Sequence, residues 1–174
     1  MVILKVMEWI CLWRVNKMKE KVYSELSNMK IDYEVVNHEA ATTTLLADKF
    51  IEGKIGVRSK SMFMSDKKKK RFYLFILDDN KRLDIKKLSE QINEKGLRLG
   101  SEKNLFEKMN FKVSLFGLLN NKDKDIKVYI DKELLNEDII TFHPNDNTAT
   151  VFIKIKDMFK FIDNLGFTYE IIDM

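Results

Sequence analysis

The densest group of side chains that could bind or react lies near the C-terminal end, from Phe142 to Thr150. The segment reads Phe-His-Pro-Asn-Asp-Asn-Thr-Ala-Thr and holds the only proline of the 174 residues and one of the two histidines. Because proline lacks an N–H donor and lies at the ends or edges of sheets, the pattern predicts a strand, a short polar connection and a second strand. Imidazole, amide and hydroxyl groups on such a connection are typical of functional sites.

Two other segments could take part in chemistry. Lys60 stands between Ser59 and Ser61 at the predicted start of a strand. The segment 114–121 is an apolar loop in which Gly117 would let a backbone N–H approach a ligand. Taken singly, Lys60 is most simply a solvated lysine, His143 a hydrogen-bonded structural histidine and Gly117 a turn residue.

The motifs of several enzyme classes are missing from the sequence. It contains no GxGxxG, GxxxxGK[ST], CxxC, HExxH or GxSxG pattern. Two isolated histidines and one cysteine do not form an ordinary zinc site. If the chain is an enzyme, we therefore expect it to work without metal, cofactor or covalent nucleophile, by positioning and electrostatic stabilisation of an already reactive substrate.

Composition predicts one globular domain, over residues 18–174. Apolar residues make up 45% and charged residues 33% of the chain. Residues 1–17 are expected to be an N-terminal extension, either an extra helix or an upstream read-through with Met18 as the natural start; charges interrupt them, so they form neither a membrane helix nor a signal peptide. The single Cys11 excludes an internal disulfide, is expected to be a small buried hydrophobe, and fits a reducing, cytoplasmic location.

The charge balance allows a polyanionic partner without requiring one. The net charge is +4 and the pI is near 9.0. The densest basic run is Lys67–Arg71. It is interpreted either as a solvated hairpin tip, the more common case, or as an edge that contacts phosphates.

Apolar spacing predicts helices and short strands that interleave without a regular βαβ rhythm, which indicates an α+β fold with a mixed, curved sheet flanked by helices. The strand from Phe72 is apolar on both faces and should be central. Helices are predicted to begin at Met18, Thr42–Thr44, Asp84, Ser101 and after Ile155. Strands are predicted over residues 33–36, 61–64, 72–77, 128–130, 139–142, 149–155 and 169–172.

The order and spacing of the three segments resemble the YbaK/prolyl-tRNA-synthetase-associated editing domain superfamily, in particular its free-standing deacylases of alanine mischarged onto proline tRNA. Phe142 to Thr150 matches that family's F-H-P-x-x-N-T-A-T motif at every fixed position. Ser114 to Asn120 resembles its S-P-F-G-L-hydrophobic-N motif, and Lys60 resembles its lysine at a strand start. The resemblance covers about residues 18–173.

Two positions depart from the family pattern. Ser61 stands where the family often has asparagine after the lysine, and Leu115 stands where it has proline in the loop. Ser61 keeps a hydrogen-bonding group with a shorter reach, whereas Leu115 loses a rigid turn residue. Either change could alter the rate or the amino-acid preference.

The resemblance implies a trans-editing hydrolase with water as the nucleophile and no cofactor. Lys60 would bind the tRNA 3′ end, Gly117 and its loop would present backbone groups to the substrate, and His143 would line the amino-acid pocket. Further substrate-binding residues implied by the resemblance are Ser59, Ser61, Phe116, Pro144, Asn147 and Thr148. The implied partners are aminoacylated proline tRNA, together with prolyl-tRNA synthetase or an elongation factor, and no membrane.

Two alternatives stay open from the sequence. Within the family, the substrate could be cysteine or another small amino acid on the tRNA. From a different class, the chain could be a non-catalytic tRNA-binding or synthetase-associated module, although the complete His143 segment and Lys60 favour an enzyme.

Overall fold

The computed structural model describes residues 18–174. The expectations for residues 1–17 and Cys11 lie outside the described residues. Within the described part, the helices are α1 over 18–28, α2 (Thr44–Phe50), α3 (Ile85–Gln91), α4 (Glu102–Met109) and α5 (Ile155–Leu165), with 3₁₀ turns at Leu115–Asn120 and Lys132–Asn136. The strands are β1 (Tyr33–Asn37), β2 (Val57–Ser65), β3 (Phe72–Asp78), β4 (Arg98–Leu99), β5 (Ile126–Asp131), β6 (Ile139–Phe142), β7 (Ala149–Lys154) and β8 (Tyr169–Ile172).

The helices begin at the predicted capping residues. The side chains of Thr43, Asp84 and Ser101 each accept a hydrogen bond from a backbone N–H in the first turn of α2, α3 and α4. Helix α5 ends at Gly166, whose φ of 75° is the left-handed conformation that closes a helix. None of the helices in the described part is both long and apolar enough to cross a bilayer.

The strands form one mixed sheet in the order β1-β7-β6-β2-β3-β5-β8, with β4 beside β2. The pairs β2–β6, β3–β5 and β5–β8 are parallel, and the other pairs are antiparallel. Strand β3 is buried from Phe72 to Leu77 between β2 and β5, as its apolar sequence predicted. The prediction of an α+β fold with a mixed sheet flanked by helices is confirmed.

Alternate residues of the central strands enter two separate cores, because successive side chains of a strand point to opposite faces. Leu74 and Ile76 pack in the larger core with residues of α1, α4 and α5. Phe75 and Leu77 pack in the smaller core against Leu88 of α3. The sheet is thus covered on both faces.

Strands β2 and β6 are joined along only a short stretch. Their parallel register comprises Val57 opposite Ile140 and Arg58 opposite Thr141. Further along β2, the partner on that side is β4, which pairs with residues 64–65. The strand segment around Lys60 therefore lies where β6 has left the sheet, and the chain that leaves β6 turns at His143.

Candidate active site

The segment from His143 to Thr148 is the turn between antiparallel strands β6 and β7, as predicted. Asn145 has a φ of 59°, in the left-handed region that asparagine tolerates, and its N–H donates to the His143 carbonyl at 2.8 Å. The buried carboxylate of Asp146 accepts from the Thr148 N–H at 2.8 Å and lies 3.7 Å from the ammonium of Lys19. The turn is therefore fixed by its own polar side chains.

Asn145 binds this turn to the Ser114 segment. Its Nδ2 donates to the Phe116 carbonyl at 2.9 Å, and its Oδ1 accepts from the Ser114 hydroxyl at 3.0 Å. All three residues are buried, so these bonds are shielded from water. The Ser114 segment and the His143 turn thus lie side by side.

Gly117 and Phe116 stabilise the 3₁₀ turn at Leu115–Asn120, where a loop was predicted from the sequence. The Gly117 N–H donates to both the carbonyl and the hydroxyl of Ser114, at 3.0 and 3.2 Å. A Cβ on Gly117 would lie 1.8 Å from the Lys112 carbonyl oxygen, so only glycine allows this approach. The Phe116 ring is 0% exposed and packs edge-on against Phe142 and Phe161, which makes it a core side chain whose carbonyl alone meets the turn.

The other end of the turn is held by the connection between β1 and α2. Asn147 donates from Nδ2 to the Ala41 carbonyl at 3.1 Å, and its own carbonyl accepts from the Ala41 N–H at 2.8 Å. The Thr148 carbonyl accepts from the His38 N–H at 2.9 Å, and its hydroxyl accepts from Lys19 at 2.7 Å. Pro144 is buried at the start of the turn.

The Lys60 segment is joined to strand β6 through Ser59, whose hydroxyl donates to the Thr141 carbonyl two residues before His143. Ser61 lies two residues further along β2, half-buried and opposite Ile76 of β3. It is not among the described residues that line the cleft presented below. The structure thus brings Ser59 to the His143 turn and leaves Ser61 to one side.

Lys60 is half-buried and was expected to be exposed. Its ammonium donates to the carbonyl of Asp79 at 2.9 Å and to the carbonyl of Lys81. These carbonyls follow β3, so Lys60 holds the end of that strand against β2. An ammonium group has three N–H donors, and these two carbonyls account for two of them.

A narrow cleft lies between α2 and the ends of β2, β3 and β6. Its volume of about 20 Å³ is room for about one water molecule. The lining residues are Thr44, Ala47, Asp48, Ile51, Arg58, Ser59, Asp79, Thr141, Phe142, His143 and Thr150. Lys60 adjoins this cleft through Asp79, whose carbonyl it binds and whose side chain lines the cleft.

Two carboxyl groups face each other in this cleft. Burial, contact with Asp48 and the nearby charge of Asp78 raise the pKa of Asp79 to about 6, while the ammonium of Lys60 acts in the opposite direction. The Oδ1 atom of Asp79 is buried without a hydrogen-bond partner. Arg58 approaches Asp48 to 3.8 Å from the other side. The wall of the cleft therefore contains a carboxyl pair in which one oxygen of Asp79 is buried without a hydrogen-bond donor.

His143 lines this cleft and also a second, wider cleft, which Phe111 and Ser114 line as well. Burial lowers the pKa of His143 below its ordinary value, with the hydrogen bond to the Ala149 carbonyl acting in the opposite direction, so the ring is neutral at pH 7. Its Nδ1 lies 3.3 Å from that carbonyl. In the tautomer that donates there, Nε2 carries a lone pair that can accept a hydrogen bond.

Sequence reasoning missed the cleft residues Asp48, Asp79 and Arg58. Asp48 lies on α2 and Asp79 after β3, and no local pattern links them. Among residues 18–174, no group of three or more histidine, cysteine, aspartate or glutamate side chains is placed to hold a metal ion.

Known proteins are similar to this chain in sequence and in fold. The model of the aminoacyl-tRNA editing domain matches residues 38–161. The prolyl-tRNA editing protein ProX of Acetoanaerobium sticklandii is 30% identical over 159 residues, which cover 90% of this chain and 97% of ProX. Prolyl-tRNA synthetase associated domain-containing protein 1 of Bos taurus is 26% identical over 160 residues, with 86% and 91% covered.

Among solved structures, one described as a candidate trans-editing enzyme for prolyl-tRNA synthetase superposes with a TM-score of 0.71 at 20% identity, over 90% of this chain and 95% of that one. This likeness shows the same fold. The family match spans every site residue predicted from the sequence, from Ser59 to Thr148. This chain belongs to the aminoacyl-tRNA editing domain family.

Proposed function

We propose that this protein is a trans-editing deacylase that hydrolyses alanine from mischarged proline tRNA. The observation that carries the proposal is the convergence of Ser59 and His143 on one narrow cleft. The Ser114 segment is hydrogen-bonded to the His143 turn, and Lys60 binds the carbonyl of the cleft residue Asp79. The family and the similarity to ProX support the same chemistry.

The reaction needs positioning more than covalent help. An aminoacyl ester is activated by its α-ammonium group and by the neighbouring ribose hydroxyl. Water attacks the ester carbonyl carbon, the bond from that carbon to the ribose oxygen breaks, and the ribose oxygen takes up a proton. Lys60 would use its remaining N–H to bind the terminal phosphate or the ester oxygen, which stabilises the negative charge that develops.

The cleft supplies groups for the amino acid itself. Neutral His143 offers the Nε2 lone pair at one side, and Asp79 offers an unpartnered carboxyl oxygen at the other. Either group can accept a hydrogen bond from the α-ammonium of the substrate. Because the cleft has room for a group of about the size of one water molecule, it would admit the methyl side chain of alanine, but not the ring of proline, while the rest of the amino acid stays outside it. This is the logic of a second sieve, because a synthetase pocket shaped for proline cannot strongly reject the smaller alanine.

The test is to incubate the purified protein with proline tRNAs that carry alanine, cysteine or proline. We expect release of alanine, with proline retained. Release of cysteine instead would identify the alternative deacylase, and release of no amino acid would favour the non-catalytic binding module. Rapid release of proline would contradict the sieve.

The proposal requires aminoacylated tRNA as a partner. Prolyl-tRNA synthetase, which produces the mischarged tRNA, and an elongation factor, which competes for it, are the proteins beside which the hydrolase would act. Addition of each protein to the deacylation assay would measure whether it raises or lowers the rate of alanine release.

A further inference from the structure

Two large aromatic side chains are exposed next to the candidate active site. Phe106 of α4 is 54% exposed and Phe111, just after that helix, is 55% exposed. Their ring centroids are 5.1 Å apart with an angle of 38° between the ring planes. Single exposed apolar residues are common on protein surfaces, but a contacting pair of rings provides an exposed aromatic surface on which a nucleobase can stack.

The backbone that presents Phe111 is strained. Asn110 and Phe111 have φ values of 50° and 61°, in the left-handed region that is unusual for a bulky side chain. The conformation is held by hydrogen bonds from the Phe111 N–H to the Leu105 carbonyl and from the Lys112 N–H to the Met109 carbonyl. Strained residues of this kind concentrate at functional sites.

The backbone at residues 110–112 is also held by its contact with Gly117, because the Lys112 carbonyl occupies the space that a Cβ on Gly117 would fill. Gly117 thereby couples the position of Phe111 to the 3₁₀ turn that Asn145 binds to the His143 turn. The exposed ring is thus held rigidly relative to His143.

A cleft of about 340 Å³ connects Phe111 with His143, a size in the range of small-ligand sites. Lys112, Ser114, Asn145 and Asp146 are among its other lining residues. Asp146 is buried and lies 3.7 Å from the ammonium of Lys19, so the half-buried Lys112 is the basic residue in the lining of this cleft that could meet a phosphate. His143 lines this cleft and the narrow one, so a ligand whose amino acid enters the narrow cleft would extend along this wall.

We propose that Phe106 and Phe111 form a stacking platform for a nucleobase in the single-stranded 3′ end of the tRNA substrate, with Lys112 beside the adjoining phosphate. The inference rests on the proposed function, which places the ester at His143. It goes further in assigning a binding site for the RNA to residues outside the three predicted segments and their cleft.

The test uses the full chain and a short single-stranded RNA that ends in the tRNA 3′ sequence, with 2-aminopurine in place of the terminal adenine. Stacking should quench the probe fluorescence. We expect Phe111→Ala to weaken binding about 5- to 100-fold, the effect of losing one base–aromatic stack, while Phe111→Trp stays within about threefold of wild type. Ile171→Ala is the matched control, since this side chain is apolar and 45% exposed on β8 at the far edge of the sheet.

Phe111→Gly removes the ring and relieves the left-handed backbone, so it separates loss of stacking from loss of folding. It should bind RNA as weakly as Phe111→Ala while its thermal midpoint is unchanged or higher. In deacylation assays both variants should raise KM and leave kcat within about threefold.

Unchanged affinity and quenching in both Phe111→Ala and Phe111→Gly would overturn the platform. So would a loss of binding to prolyl-tRNA synthetase with normal RNA binding, because the rings would then be a protein-docking surface. If the wild type hydrolyses no mischarged tRNA but its RNA affinity depends on Phe111, the proposed hydrolysis fails and the platform stands. If hydrolysis occurs and Phe111 affects neither KM nor RNA affinity, only the platform fails.

Discussion

Replacement of Lys60 separates its proposed catalytic role from the structural role that its hydrogen bonds show. Its ammonium donates to the carbonyls of Asp79 and Lys81, so Lys60→Ala removes charged hydrogen bonds from the end of β3. Such bonds contribute about 1.5–3 kcal/mol, and water can reach both carbonyls after the change. For a chain of this length, we expect the thermal midpoint to fall by about 3–12 °C.

The loss of activity should be far larger than this loss of stability explains. A domain with about 5 kcal/mol of unfolding free energy would keep about 2 kcal/mol, so about 3% would be unfolded at 25 °C. A 100-fold loss through unfolding alone would require a destabilisation of about 8 kcal/mol. Removal of one donor to a developing negative charge typically lowers kcat by about 10²–10³.

The assay measures alanine release from mischarged proline tRNA at 25 °C beside thermal unfolding of the same samples. Lys60→Met keeps the aliphatic stem without the ammonium, so it tests the charge alone. Lys54→Ala is the control, because Lys54 forms an ion pair with Glu34 at 47% side-chain exposure and should change stability by less than about 1 kcal/mol. Turnover by both Lys60 variants within fivefold of wild type would refute the reasoning.

Three further predictions follow from the site. Gly117→Ala should destabilise the protein by about 1–3 kcal/mol or more, since its Cβ would lie 1.8 Å from the Lys112 carbonyl; an unchanged urea midpoint would contradict this close contact. Asp79→Asn should gain stability relative to the wild type as the pH rises from about 4 to above about 6. The folded wild type binds more protons than its unfolded state in this range, so its free energy of unfolding falls as pH rises; parallel pH profiles of unfolding would show that burial and Asp48 do not raise the pKa of Asp79. Replacement of the four lysines at 67–70 by serine should leave turnover within about twofold, because the hairpin tip lies about 20 Å along β2 from the site; a large rise in KM at low salt would instead identify a phosphate contact.

Local sequence chemistry predicted those elements whose signals are complete within a few residues. The caps at Thr43, Asp84 and Ser101 could be predicted because an N-capping residue directly precedes the helix that it begins. The central position of β3 followed from its apolar residues on both faces.

The sequence could not reveal features that depend on tertiary contacts. The stretch Leu115–Asn120 was expected to be a loop, and its 3₁₀ conformation is stabilised by Ser114 and by the close approach of Lys112 to Gly117. Phe116 was expected to bind substrate, but its ring enters the core with Phe161, which lies on a distant helix.

The cleft was equally out of reach, because its walls come from distant parts of the chain. Asp48 and Asp79 meet only when α2 folds over the end of β3. The departures at Ser61 and Leu115 have different surroundings: Leu115 is fully buried in the larger core, whereas Ser61 is half-buried on β2. At position 115, where the family pattern has a proline that makes the turn rigid, this chain therefore has a leucine that packs in the core.

The brief parallel contact between β2 and β6 has a consequence for how amino-acid preference can change. Because these strands separate after Arg58 and Thr141, the walls of the cleft belong to two halves of the sheet that are each stabilised by their own antiparallel ladders. Small shifts of one half against the other would widen or narrow the opening without repacking either core. Selection for a different amino acid can thus act on the spacing of the two halves, and the side chains that line the cleft can stay unchanged.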